Sequence, residues 1–164
     1  MKINDGSILS LDYNILKELF EKARISERKR VLHILRSSEK GEIPAILFNI
    51  LFPGTYVRPH KHPLEDGKEI CAPISGRMKV IIFNSTGSVK ETYFLSATEN
   101  VFIEIPANIY HTIIALEPSV LFELYFGKYS LTSYKEFAEW APEENDSRVG
   151  SYLKRLVSDS ENFD

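Results

Sequence analysis

The chain has 164 residues, the length of one domain, with 43% hydrophobic and 26% charged residues, so wholesale disorder is excluded. Its 20 Lys and Arg against 23 Asp and Glu give a net charge of −3, which argues against a protein that coats nucleic acid. The whole deficit lies in residues 143–164, with six acids and three bases, and the rest is neutral. One cysteine, Cys71, excludes an internal disulfide and a Cys-rich zinc site. There are four histidines: His33, His60, His62 and His111.

Residues 1–30 form a helical segment. Leu11, Ile15, Leu16, Leu19, Phe20 and Ala23 recur at helical spacing, with Ser10 or Asp12 available as N-cap. The basic run Arg28-Lys29-Arg30 reads as a solvated helix end. From 31 to 126 the pattern changes to short β segments, near 31–36, 45–52, 55–62, 69–75, 77–83, 89–95, 101–105, 111–116 and 120–126. Turn signals such as Pro53-Gly54, Ser75-Gly76 and Pro106-Ala107-Asn108 separate them. Many short strands without intervening helices predict an all-β sandwich or barrel. Residues 127–142, with Tyr134, Phe137 and Trp140, read as a closing segment packed on the barrel. Residues 143–164 read as an acidic polar tail with a short amphipathic helix around Tyr152, Leu153, Leu156 and Val157. The N-terminus lacks an apolar leader and the apolar runs are too short to span a bilayer, so the expectation is a cytoplasmic protein without a membrane partner.

The chemistry is concentrated around Pro53-Gly54-Thr55-Tyr56-Val57-Arg58-Pro59-His60-Lys61-His62, followed by Glu69 and Gly76. Alternate residues of a strand share a face, so His60 and His62 point the same way. With Glu69 at a strand start and His111 after a distant turn, they predict a mixed N/O site for one divalent transition metal: Fe, Mn, Ni, Co, Cu or Zn. Arg58 and Tyr56 share the parity of the two histidines and are expected to face the same cavity, as ligand-binding residues, together with Tyr110 beside His111. A divalent ion with one carboxylate and a nearby arginine suits a small anionic ligand. Glu123 and Tyr125 alternate with Phe122, Leu124 and Phe126. If the glutamate set faces inward, Glu123 is a candidate general base. Cys71 shares the parity of Glu69 and reads as a buried thiol, and His33 as a half-buried strand histidine.

These residues resemble the cupin family. Its first motif is Gly, five residues, His-x-His, three or four residues, Glu, six residues, Gly, and here the matching positions are Gly54, His60, His62, Glu69 and Gly76. Six residues separate His62 from Glu69, which leaves Glu65 as a rival ligand. The second motif, Gly, five residues, Pro-x-Gly, two residues, His, three residues, Asn, corresponds to Asn100, Pro106, Asn108, His111 and Ala115. Asparagine replaces both glycines and is the next-best residue for a positive φ. The run from Pro53 to Pro63, Ile105-Pro106, Tyr110-His111-Thr112, Ala115 to Pro118, Leu121-Phe122-Glu123 and Lys135 to Pro142 look like the WbuC-type cupin metalloproteins, over about residues 10–142. The resemblance implies a cupin double-stranded β-helix, or jelly-roll barrel, with an N-terminal helix; the short C-terminal helical extension lies in the tail outside it. The resemblance also implies a metal site, a homodimer, and a setting among bacterial genes for surface polysaccharide assembly. Three functions stay open: a metal-dependent isomerase or epimerase of a sugar-related metabolite, an Fe(II)-dependent dioxygenase, and a non-catalytic metal-dependent ligand-binding module.

Overall fold

The computed structural model describes residues 8–37, 40–63, 67–129 and 135–158. Helix α1 spans Tyr13–Ile25, and its N-cap is Asp12, whose carboxylate accepts from the amides of Asn14 (2.8 Å) and Ile15 (3.0 Å). Ten strands follow: β1 (Arg30–Arg36), β2 (Ala45–Leu51), β3 (His60–Lys61), β4 (Glu69–Ser75), β5 (Met78–Phe83), β6 (Val89–Leu95), β7 (Ile103–Ile105), β8 (Tyr110–Ala115), β9 (Ser119–Tyr125) and β10 (Glu136–Phe137). Helix α2 spans Val149–Ser158. The strands make two five-stranded sheets of order β1-β2-β9-β4-β7 and β10-β3-β8-β5-β6, with antiparallel pairing throughout. This is an all-β architecture of two facing sheets, as the resemblance implies.

The inner faces enclose a core of Leu51, Cys71, Met78, Val80, Leu95, Ile105, Ile113, Ala115 and Leu121. Each helix covers one outer face. On the first sheet, Leu19 and Ala23 of α1 pack with Ile50 and Val120. On the second, Leu156 of α2 packs with Ile81, Phe83 and Ile114. Burying a leucine in this way contributes about 1.5–3 kcal/mol. The same helix is fastened by Lys79 of β5, whose ammonium donates to the carbonyls of Leu156 (2.9 Å) and Val157 (2.8 Å). A cation on the last carbonyls also complements the helix dipole. Val157 itself is 41% exposed, so the buried face of α2 is Tyr152, Leu153 and Leu156.

Two expectations need correction. The strand expected over 55–62 shrinks to His60–Lys61, because Pro53 and Pro59 offer no amide hydrogen and Gly54 turns the chain at φ +86°. The closing segment supplies a strand, β10, paired as Glu136 opposite Lys61 and Phe137 opposite His60. Trp140 packs on Phe83 at 5.0 Å between ring centres, while Tyr134 lies outside the described residues. Asn108 adopts the expected left-handed conformation (φ 62°), but Asn100 does not. The other left-handed non-glycine among the described residues is Lys29. Asn100 instead donates its side-chain amide to the Phe94 carbonyl at 2.8 Å.

Candidate functional site

His60 and His111 are directly opposed across β3 and β8, and their rings lie 4.5 Å apart. His62 follows β3 and rests on Tyr125, 4.8 Å between centres. His60 Nδ1 is 3.0 Å from the Arg58 carbonyl, and His111 Nδ1 is 2.9 Å from the Ile109 carbonyl. A carbonyl only accepts, so Nδ1 carries the proton in both rings and Nε2 is a bare lone pair. Those two Nε2 atoms are buried and make no hydrogen bond. One ring nitrogen from each of the three histidines falls within a 4.8 Å cluster. Glu69, at the start of β4, places Oε2 3.4 Å from His62 Nε2 and 3.3 Å from His111 Nε2.

These separations test whether a metal would fit. Donors about 2.1 Å from one ion, at angles of about 90–110°, lie about 3.0–3.4 Å from one another. The carboxylate–imidazole edges have that length, and the His60 and His111 imidazoles present lone pairs with tautomers already set by backbone carbonyls. The four side chains could therefore hold a divalent ion. Burial, then Lys135 and the neighbouring rings, keeps His60 well below the usual imidazole range. The rival ligand Glu65 lies outside the described residues.

The cluster opens into a cavity of about 560 Å³, lined by His60, Glu69, His111, Arg58 and Glu123 among others. Strand parity therefore resolves with Glu123 inward. Its carboxylate accepts from Asn49 Nδ2 at 2.7 Å. Burial, and then the charge of Glu69, pushes it up to about 8. Cys71 lies opposite Glu123 and forms a second cluster with Glu69 and Glu123, all within 4.8 Å. Burial, then those two carboxylates, pushes its thiol well above the ordinary range, so the sulfur is a protonated core group.

Two expected ligand-binding residues are placed elsewhere. Tyr56 precedes the short β3 strand, so strand parity does not apply to it. Its hydroxyl donates to the Pro142 carbonyl at 2.7 Å and its ring packs on Tyr152. Tyr110 is on the outer face of β8, against Trp140, with its hydroxyl 3.3 Å from Glu136. His33 pairs with Phe48 in the β1–β2 register, on the face turned toward α1. Arg58 does line the cavity. Its Nη2 donates to the Ala138 carbonyl at 3.1 Å and its guanidinium lies 5.3 Å from the centre of the Phe137 ring. Sequence reasoning missed Asn49, Arg28, Arg30, Lys135 and Glu144 as cavity residues. Asn49 had a signal, as the polar residue interrupting the apolar run Ala45 to Phe52.

Residues 11–95 match the family described as Domain of unknown function (DUF6016). The chain belongs to that family. The matched span holds His60, His62 and Glu69 and ends before His111. Among curated proteins, none matches the chain. Solved structures are similar in fold. CapF, the capsular polysaccharide assembling protein of Staphylococcus aureus, superposes with a TM-score of 0.59 at 17% identity, over 70% of this chain and 33% of CapF. The conserved SPY1581 protein of unknown function from Streptococcus pyogenes gives 0.52 at 20% identity, over 77% of this chain and 100% of that one. An oxalate oxidase in complex with the substrate analogue glycolate gives 0.52 at 15% identity, over 64% and 54%. This chain thus spans about a third of CapF's length. Likenesses at these identities establish the cupin fold. Among the described residues, no helix is long and apolar enough to cross a membrane.

Proposed function

We propose that this family member is a metal-dependent isomerase or epimerase of a small anionic, sugar-related metabolite. The observation that carries the reading is the position of Glu123: a buried carboxyl facing the cavity, beside Glu69 and held by Asn49. A divalent ion held by His60, His62, Glu69 and His111 would supply Lewis-acid polarisation of a substrate oxygen. Arg58 would orient the ligand's carboxylate or phosphate by paired N–H donation. Glu123 would take the proton from the carbon beside the polarised oxygen and return it from its acid form. Asn49 fixes the orientation of the carboxyl.

The sugar class follows the resemblance to WbuC-type cupins and agrees with what CapF is named for, a role in bacterial surface polysaccharide assembly. A soluble homodimer through the free edge of β1 completes the proposal, since pairing would cover an open strand. Light scattering of the purified protein tests the dimer.

The test of the reaction is solvent exchange. Protein reconstituted in turn with Fe, Mn, Ni, Co, Cu and Zn is incubated in deuterium oxide with a panel of nucleotide-linked, phosphorylated and carboxylated sugars. Deuterium entering a carbon-bound position supports the reading. Uptake of oxygen with iron and no exchange with any metal would replace it with dioxygenase chemistry.

A further inference from the structure

We propose that Arg28 and Arg30 form a second anion-binding subsite at the mouth of the cavity, which takes a terminal carboxylate or phosphate of the ligand and which Glu144 occupies from within the chain. The proposal deepens the functional reading by adding a ligand group, and it needs the cavity to be a ligand pocket but not the isomerase chemistry.

Both arginines line the same cavity as His60, Glu69 and Glu123. Arg28 donates to the Glu144 carboxylate through Nε (3.1 Å) and Nη2 (2.9 Å to each oxygen). Arg30 donates to the same carboxylate through Nη2. Two guanidinium groups thus converge on one carboxylate, an arrangement that suits the two or three oxygens of a larger anion.

Arg30 is set in place before any anion arrives. Its side chain is 14% exposed, and Nη1 donates to the Tyr56 carbonyl (2.6 Å) and to Thr55 Oγ1 (3.2 Å). Thr55 in turn donates its hydroxyl to the Arg28 carbonyl at 2.8 Å. Glu144 is more accessible, with a side chain 36% exposed, and its neighbour Glu143 is 81% exposed and 3.8 Å from Arg58. The chain on either side is held independently of the carboxylate. Tyr56 bonds the Pro142 carbonyl, and the Asp146 amide donates to the Glu143 carbonyl at 3.0 Å. Glu144 can therefore swing out while the segment stays in position. An incoming anion exchanges one carboxylate for another and needs no new cationic residue.

The ligand class that follows carries an anionic group at its far end as well as the group met by Arg58. Phosphorylated or carboxylated sugars fit, and neutral sugars do not.

The probe is pyrophosphate, titrated calorimetrically into the full chain at low ionic strength, where partly exposed pairs are least screened. Glu144→Gln removes the internal competitor and is expected to tighten binding about three- to tenfold. Arg28→Met with Arg30→Met is expected to weaken it by at least about tenfold. Should the amide variant fail to fold, Glu144→Asp, which withdraws the carboxylate by one methylene, gives the same reading. Unchanged affinity in a folded Glu144 variant, or full affinity in the double arginine variant, overturns the subsite. The two proposals fail separately: tight pyrophosphate binding without solvent exchange on any sugar sinks the isomerase reading alone, and exchange with unaltered pyrophosphate affinity in every variant sinks the subsite alone.

Discussion

Cys71 and Glu123 stand opposite each other across β4 and β9, both directed into the barrel beside Glu69. Their roles differ because one has a hydrogen-bonding partner that orients it and the other is wholly enclosed. Glu123→Gln preserves shape and the contact to Asn49 but cannot carry a proton to or from carbon. Deuterium exchange should fall about 10²- to 10⁴-fold while bound metal, measured by X-ray fluorescence, is unchanged. Cys71, 0% exposed and with a raised thiol, should resist a thiol reagent in the native protein and react on unfolding. Prompt native labelling would contradict the burial described for it.

The histidines make a stoichiometric prediction. Purified protein should hold about one transition-metal ion per chain, and replacing His60, His62 or His111 by Ala should reduce that to a small fraction. Glu69→Gln should also lower metal content, by a smaller factor, because an amide oxygen remains a donor. Loading the site should raise the melting temperature, and a chelator should reverse the gain, since an ion that binds only the folded chain stabilises it. Equal melting curves with and without chelator would refute metal binding at this cluster.

Gly76 and Asn108 separate two backbone demands. At Gly76 (φ +80°) an added Cβ would lie 2.3 Å from Ser119 Oγ and 2.7 Å from the Pro118 carbonyl oxygen. Gly76→Ala should cost about 2–4 kcal/mol in urea unfolding, from the left-handed backbone and the overlap together. Asn108→Gly, at φ 62°, should change stability by less than about 1 kcal/mol, because glycine takes that conformation freely and its greater unfolded-state entropy offsets part of the gain.

Asp146 gives a pH prediction for α2. The Arg148 side chain, and then its amide, hold the Asp146 carboxyl down to about 2. The folded value lies below the unfolded one, so the interaction is fully present above about pH 4. It fades as the pH falls through about 2. Amide protection in α2 should decline over that window in the native chain, and Asp146→Asn should flatten the decline. An identical acid profile for both would show that this carboxylate does not anchor the start of the helix.

The cluster of His60, His62, His111 and Glu69 was legible because most of its signal is local. His60 and His62 sit two apart, Glu69 opens a strand, and His111 follows a turn whose Asn108 takes the left-handed backbone. The helix N-cap and the inward Cys71 were legible for the same reason. Strand parity failed at Tyr56 because the segment 55–59 follows the Pro53-Gly54 turn, ends in Pro59 and pairs with no strand before His60. The mouth was not legible at all. Arg28 and Glu144 meet across 116 residues, and a basic run with a distant acidic tail carries no pattern that pairs them. Lys79 was hidden likewise, since a lysine within an apolar strand shows its helix-capping role only once α2 is docked.

Asn49 and Glu123, the pair that shapes the inner wall, are separated by 74 residues, and among the described residues β2 pairs with β1 and β9. During synthesis at about 5–20 residues per second, β2 therefore waits about 4–15 seconds for its second neighbour to emerge. For that interval the nascent chain has no cavity. His60 and His62 are exposed before His111, so early metal capture would involve an incomplete set of donors. Glu144 follows every described strand in chain order, so the mouth acquires its resident carboxylate only after the strands of the interior have emerged. Chain order alone thus presents the parts of the chamber to the folding chain before the carboxylate at its entrance.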